Sequence, residues 1–297
     1  MAGDTPEAQV REYAMEAFVV RSEPYYRPVA DEVELFTGAY NQRIPVLLKG
    51  PTGCGKTRFV EYMAWKLGRQ LHVGRDRQDQ SPSDDMQLPL VTIACHEDLT
   101  ASDLVGRYLL DATGTNWIDG PMTRAVKTGA ILYLDEVVEA RKDTTVLIHP
   151  LTDHRRLLPV EKRGSVIEAD DRFLLCVSYN PRYQSTLKDL KPSTRQRFIA
   201  IEFDYPPPHI EADIIQRESG CSAAQAETLA RLGVKVRNLR EHGLQEGAST
   251  RLLIYAARLM SEGLTARRAC QVALVWSLTD DIELQQSIAE VVGAVVE

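Results

Sequence analysis

Gly50-Pro51-Thr52-Gly53-Cys54-Gly55-Lys56-Thr57 stands between an apolar run, Ile44–Leu48, and a segment with helical period, Thr57–Leu67. Strand, glycine-rich turn, Lys-Thr and helix in that order make the Walker A arrangement. Its glycines let the backbone N–H groups of Gly53, Gly55 and Lys56 curl around phosphates, and the helix amino terminus adds partial positive charge. Lys56 is expected to reach the β- and γ-phosphates of ATP, and Thr57 to offer its hydroxyl to Mg²⁺.

About 80 residues on, Ile131-Leu132-Tyr133-Leu134 runs into Asp135-Glu136. A buried strand ending in two acids delivers carboxylates to the carboxyl edge of a sheet, where α/β proteins bind ligands. Asp135 is then the expected Mg²⁺ ligand and Glu136 the residue that polarises the attacking water. By itself such a run fits a strand followed by a polar turn equally well; the phosphate loop decides for the site. Ser178-Tyr179-Asn180-Pro181 ends a further strand, and Asn180 would lie beside Asp135 if the two strands are neighbours, there to touch γ-phosphate or water. Its plainer reading is a turn-forming Asn before Pro.

Arg195 and Arg197, in Ser193-Thr194-Arg195-Gln196-Arg197-Phe198, precede the fifth strand. They read as solvated caps or as an arginine finger supplied across a subunit interface, with Arg197 preferred and Arg195 the alternative. Arg251, after Ser249-Thr250, is an ordinary surface residue or a lid arginine that contacts nucleotide.

The runs Ile44–Leu48, Leu88–Cys95, Ala130–Leu134, Phe173–Tyr179 and Phe198–Phe203 are too short for helices and too continuous for half-exposed strands, which makes them buried parallel strands. Helical segments such as Val138–Leu151 lie between them, so the expected fold is a three-layer α/β domain over residues 1–205 with a five-stranded parallel sheet. Tyr205-Pro206-Pro207-Pro208 forms a stiff connector. Residues 206–297 then show helical period, in Ala223–Leu232, Ser249–Ser261 and Thr265–Leu278, with Ser and Thr at N-cap positions, and predict a small helical domain. Arg155–Ile167 alternates around Arg163-Gly164 as a β-hairpin does. Val73–Gln87 is polar, carries Pro82 and reads as a mobile surface loop or a disordered insertion.

Thirty-five basic against 42 acidic residues give a net charge of −7 in 297 residues, without the basic stripe of a nucleic-acid binder. No apolar run reaches the ~18 residues of a membrane span, and no leader is evident at the amino terminus, so a cytoplasmic protein with protein partners is expected. The five cysteines form no CxxC pair, and four read as small core residues. Cys54 differs: its place near a helix amino terminus favours the thiolate, which opens a minor reading in which oxidation blocks ATP. The six histidines show no metal-ligand spacing, and none is assigned catalysis.

Together the phosphate loop, Asp135-Glu136, Asn180, Arg195-Gln196-Arg197-Phe198 and Ser249-Thr250-Arg251 resemble an AAA+ ATPase of the MoxR group. The long stretches YYRPVADEVELF, LLKGPTGCGKTRFVEYMAWKLG, ACHEDLTASDLVGRYLL, LDEVVEARKDTTVLIHPLTDHRRLLP and SYNPRYQSTLKDLKPSTRQRF, which cover most of Pro24–Tyr205, narrow this to the CbbQ/NorQ branch and resemble its CbbQ group in particular. The resemblance implies a Mg²⁺-dependent ATPase in a ring, usually a hexamer. It also implies a CbbO-type partner with a von Willebrand factor A domain, and Rubisco as the client from which inhibitory sugar phosphates are released. By position it gives Lys56, Thr57, Asp135, Glu136, Asn180, Arg197 and Arg251 the roles above. It further implies a helix-2 insertion within residues 101–119, in which Trp117 serves either hairpin packing or substrate contact. The polar stretch at 73–87 departs from the pattern. A NorQ-like factor maturing nitric oxide reductase would keep every nucleotide residue and change the client. A nucleotide-dependent structural protein is opposed by Glu136 and the two arginines, and a DNA motor by the acidic balance.

Overall fold

The computed structural model describes residue 20 and residues 22–75, 89–111, 114–181 and 190–296. In chain order the elements are α1 (Glu32–Asn41), β1 (Val46–Lys49), α2 (Lys56–Arg75), β2 (Leu90–Ala94), α3 (Ala101–Val105), β3 (Gly106–Asp111), β4 (Gly114–Asp119), α4 (Pro121–Thr128) and β5 (Ile131–Asp135). There follow α5 (Lys142–Leu147), β6 (Leu157–Val160), β7 (Ser165–Glu168), β8 (Leu174–Tyr179), α6 (Pro192–Arg195) and β9 (Ile199–Glu202). The chain then continues through α7 (Pro208–Ser219), α8 (Ala223–Asn238), α9 (Thr250–Ser261), α10 (Ala266–Cys270), α11 (Trp276–Leu278) and α12 (Ile282–Val295).

The five expected strands form one parallel sheet in the order β2-β5-β8-β1-β9. Their continuous apolar character follows from covering on both faces, because successive residues of a strand point to opposite sides. Leu47, Leu132, Leu134, Leu175, Val177 and Tyr179 enter one core. Val46, Leu48, Ile131, Tyr133, Leu174 and Cys176 enter the other, against Phe59, Val60 and Met63 of α2. A third core lies among the helices after residue 207, built on Ile215, Leu229, Leu253, Leu274 and Ile288. Side chains cap these helices as the sequence predicts: Ser222 makes a capping box with Gln225, and Ser249 and Thr265 accept from the N–H groups of Leu252 and Arg268.

Two expectations are corrected. Val138–Leu151 is not one helix but two 3₁₀ turns flanking α5. Extended backbone at Ala140 and Arg141 starts α5 afresh, and Pro150, which lacks an N–H, stops it from continuing. Broken this way, the segment still sends Ile148 and Leu151 into one core, with Val138, Ala140 and Leu147 packed against it. Helix α2 runs past Leu67 to Arg75, so Val73, Gly74 and Arg75 are helical where a loop was expected, and 76–87 lie outside the described residues. Segment Thr265–Leu278 is helical as expected, with a π-helical turn at Gln271–Val275.

Strands β6 and β7 pair antiparallel around Gly164, whose φ of 65° suits a residue without Cβ. β3 and β4 form a second hairpin, with residues 112–113 at its tip outside the described residues. Trp117 packs edge-on against Tyr108 and donates its indole N–H to Asp119 Oδ1 at 2.8 Å, a hairpin contact. Among the described residues no helix is long and apolar enough to cross a membrane.

Candidate active site

Strand β1 releases the chain into the phosphate loop at the carboxyl edge of the sheet, and β5 and β8 end at the same edge. The loop lines a cavity of about 600 Å³ together with Asp135, Glu136, Arg251 and residues of the segment before α1. Lys56 Nζ donates to the carbonyls of Gly50 and Pro51, both at 2.9 Å. Thr57 Oγ1 donates to Asp135 Oδ2 at 3.4 Å. Sequence motifs nearly 80 residues apart therefore meet through adjoining elements.

Asp135 is held by more than Thr57. Tyr133 donates its hydroxyl to Asp135 Oδ1 at 2.8 Å, and the Ser178 hydroxyl donates to the same oxygen. Ser178 Oγ in turn accepts the N–H of Glu136 at 3.1 Å. That bond steadies a backbone in an uncommon conformation, since Glu136 has a φ of 55°, a left-handed geometry that costs a residue with a Cβ about 1–2 kcal/mol. Burial, and then the neighbouring charge of Asp135, push the Glu136 carboxyl above its usual range, with Lys56 opposing them. Neither Ser178 nor Tyr133 was singled out from the sequence. The signal was a period of two: Ser178 shares a strand face with Asn180, and Tyr133 with Asp135.

Strands β5 and β8 are neighbours, which brings Asn180 to the same edge as Asp135. Its amide nitrogen donates to Glu246 Oε1 at 2.6 Å, and Thr52 Oγ1 donates to the same oxygen at 3.0 Å. Glu246, on the loop before α9, carries no motif and was missed. So was Arg258, which lines the cavity beside Arg251.

The two arginines before β9 do not line this chain's own cavity. Arg195 is half-buried and donates to the Leu190 carbonyl at 3.1 Å. Arg197 is exposed, with one 3.5 Å bond to the carbonyl of His149. The Cys54 expectation is corrected as well: Cys54 is buried, and burial pushes its thiol up despite Lys56 nearby. All five cysteines are free and buried. Among the described residues no group of three or more His, Cys, Asp or Glu is placed to hold a metal ion.

Gly53 ties the loop to the helical region. Its φ is 70°, and a Cβ there would stand 2.5 Å from the Cβ of Ser249. Gly53→Ala is expected to weaken ATP binding at least about tenfold, since both the strained φ and the clash displace the loop. Gly38→Ala in α1, where a Cβ meets nothing within 4 Å, serves as the comparison and leaves binding unchanged. Titration of a fluorescent ATP analogue checks both, and equal affinities would refute the packing argument.

The chain matches the family model described as AAA domain (dynein-related subfamily) over residues 45–198, and that of the CbbQ/NirQ/NorQ C-terminal region over residues 211–295. Protein CbbQ of Hydrogenophilus thermoluteolus is 55% identical over 271 residues, covering 91% of this chain and 94% of that one. Protein NorQ of Paracoccus denitrificans is 52% identical over 272 residues, covering 92% and 94%. Denitrification regulatory protein NirQ of Pseudomonas aeruginosa is 52% identical over 269 residues, covering 91% and 96%.

Proposed function

Because the chain belongs to the CbbQ/NirQ/NorQ family of AAA+ ATPases, we propose that it is the ATP-hydrolysing motor subunit of a Rubisco activase. It would work as a homo-oligomeric ring, a hexamer, with a CbbO-type partner, and release tight-binding sugar phosphates from inhibited Rubisco. Residues 1–205 form the nucleotide unit in this reading and 206–297 its lid. The 55% identity to a CbbQ over most of both chains supports the choice of client.

In the site, Thr57 and Asp135 would hold Mg²⁺: they place hard oxygen donors 3.4 Å apart beside the phosphate loop, the chemistry this ion takes together with phosphate oxygens and water. Bound there, the ion supplies charge neutralisation for the phosphates. Lys56 exchanges its two loop carbonyls for β- and γ-phosphate oxygens. Glu136 accepts the proton of the attacking water, whose oxygen bonds to the γ-phosphorus as the bond to ADP breaks. Asn180 orients that water or the γ-phosphate from the neighbouring strand, and Arg251 contacts the phosphates from the lid. Arg197, exposed and outside its own chain's cavity, reaches the γ-phosphate of the adjacent subunit, and Arg195 is the secondary candidate.

Action across the interface has a direct test. Lys56→Ala and Arg197→Ala are each expected to be inactive alone and to regain hydrolysis when mixed, because one interface then joins an intact loop to an intact arginine. Mixtures as inactive as their components would place Arg197 in its own site or outside catalysis. The client is tested by reactivation of sugar-phosphate-inhibited Rubisco with ATP and a CbbO-type partner, with Lys56→Ala as blank. Recovery in the wild type alone supports the proposal; no recovery sinks it. The second reading, a NorQ-like factor maturing nitric oxide reductase, is favoured by the 52% identity to NorQ. It predicts restored reductase activity in a strain lacking that factor.

A further inference from the structure

The loop between α8 and α9 does not hang free at the site. Arg237 Nε donates to the carbonyl of Ala248 at 2.8 Å, and a Cβ at Gly247 would come 2.8 Å from Arg237 Cγ. Tyr205 lays its ring on the Arg237 guanidinium, 3.9 Å from centroid to Cζ. Its hydroxyl lies 3.4 Å from the Gly247 carbonyl and 3.3 Å from that of Thr52. Ser249, next along, closes against Gly53. From this held backbone Glu246 reaches the Asn180 amide nitrogen at 2.6 Å and Thr52 Oγ1 at 3.0 Å.

The chemistry of that contact is one-sided. A carboxylate accepts and never donates, so it turns the nitrogen of the Asn180 amide, not its oxygen, towards the helical region. Asn180 is 8% exposed, and a charge-assisted bond of this length is stronger than a neutral one. We propose that Glu246 is a positioning residue for hydrolysis: it sets which face of the Asn180 amide meets the γ-phosphate region, and it makes that orientation depend on where the helical region sits. The proposal rests on the role given to Asn180 above. Movement of α8 and α9 carries Glu246 with it and so alters the orientation of Asn180; the same carboxylate also accepts from Thr52 of the phosphate loop.

A purely structural contact predicts something different, and a double-mutant cycle separates the two. Steady-state hydrolysis and thermal melting are measured on the full chain for wild type, Glu246→Ala, Glu246→Gln, Asn180→Ala and the double alanine variant. Glu246→Ala is expected to lower kcat about tenfold with KM within about twofold, the loss of one charged hydrogen bond in the transition state. The double variant is expected to be no slower than Asn180→Ala. Glu246→Gln, whose carbonyl can accept the same bond, recovers part of kcat. Losses that multiply in the double variant, or a loss confined to KM or to melting, overturn the positioning role. An unchanged kcat in Glu246→Ala overturns it while wild-type turnover leaves the ATPase reading intact, whereas a Glu246 effect without any Asn180 effect overturns the role given to Asn180.

Discussion

Glu136→Gln is expected to bind ATP as the wild type does and to hydrolyse it roughly 10²–10⁴ times more slowly, the range of a positioned general base. The substitution keeps the shape and the backbone N–H that Ser178 accepts at 3.1 Å, so the left-handed turn after β5 has no reason to relax. It also leaves Lys56, Thr57 and Asp135 untouched. What it removes is the ability to take a proton from water, since an amide oxygen is a far weaker base than a carboxylate. Phosphate release under saturating ATP, measured beside retention of labelled nucleotide, separates the two effects. Turnover within about tenfold of wild type would show that another group accepts the proton.

The second large effect is on stability. Glu211→Ala is expected to cost about 3–5 kcal/mol, because it strands a buried guanidinium. Arg237 donates Nη1 and Nη2 to the two Glu211 oxygens at 2.8 and 2.6 Å, and Thr250 adds a third donor at 2.6 Å. Arg237 is 10% exposed and Glu211 not at all. Removing the carboxylate leaves the cation in a place where water cannot replace its partner, and the cost exceeds whatever the intact pair contributes. A fall in melting temperature of roughly 10 °C follows for a chain of this size. The pair of Arg155 with Asp153 offers the contrast, since its side chains are 57% and 21% exposed. Arg155→Ala should leave the melt where it is. Equal shifts in both variants would mean that burial does not govern these pairs.

These two residues also mark how far the sequence could be read. Glu136 was legible because a strand that must be apolar on both faces ends abruptly in acids beside a phosphate loop. The strands were legible for the same reason, and the N-caps at Ser222, Ser249 and Thr265 because short hydroxyl side chains stand just before apolar periods. Glu211, Arg237 and Glu246 were not legible. Charged residues in a helical segment normally face water, and nothing local says that Arg237 turns inward to Glu211 twenty-odd residues earlier. Glu246 and Asn180 stand 66 residues apart, one on the loop before α9 and the other at the end of β8, so only the packing of the helical region on the sheet edge brings them together. The Val138–Leu151 break was hidden for a similar reason: Ile148 and Leu151 reach one core and Val138, Ala140 and Leu147 pack against it, but by three short turns instead of one regular helix.

Strand β1, which carries the phosphate loop, sits between β8 and β9, with Val46 opposite Cys176 and Ile199. Its hydrogen-bonding neighbours are thus made more than a hundred residues after it. At about 5–20 residues per second of synthesis, that strand leaves the ribosome and waits on the order of ten seconds for either partner to exist. Neither edge of it can be satisfied by the chain made up to then, and the long loop closures involved make its pairing slow as well. The segment that handles ATP in the finished molecule is therefore, during biosynthesis, an unpaired apolar strand that needs shelter.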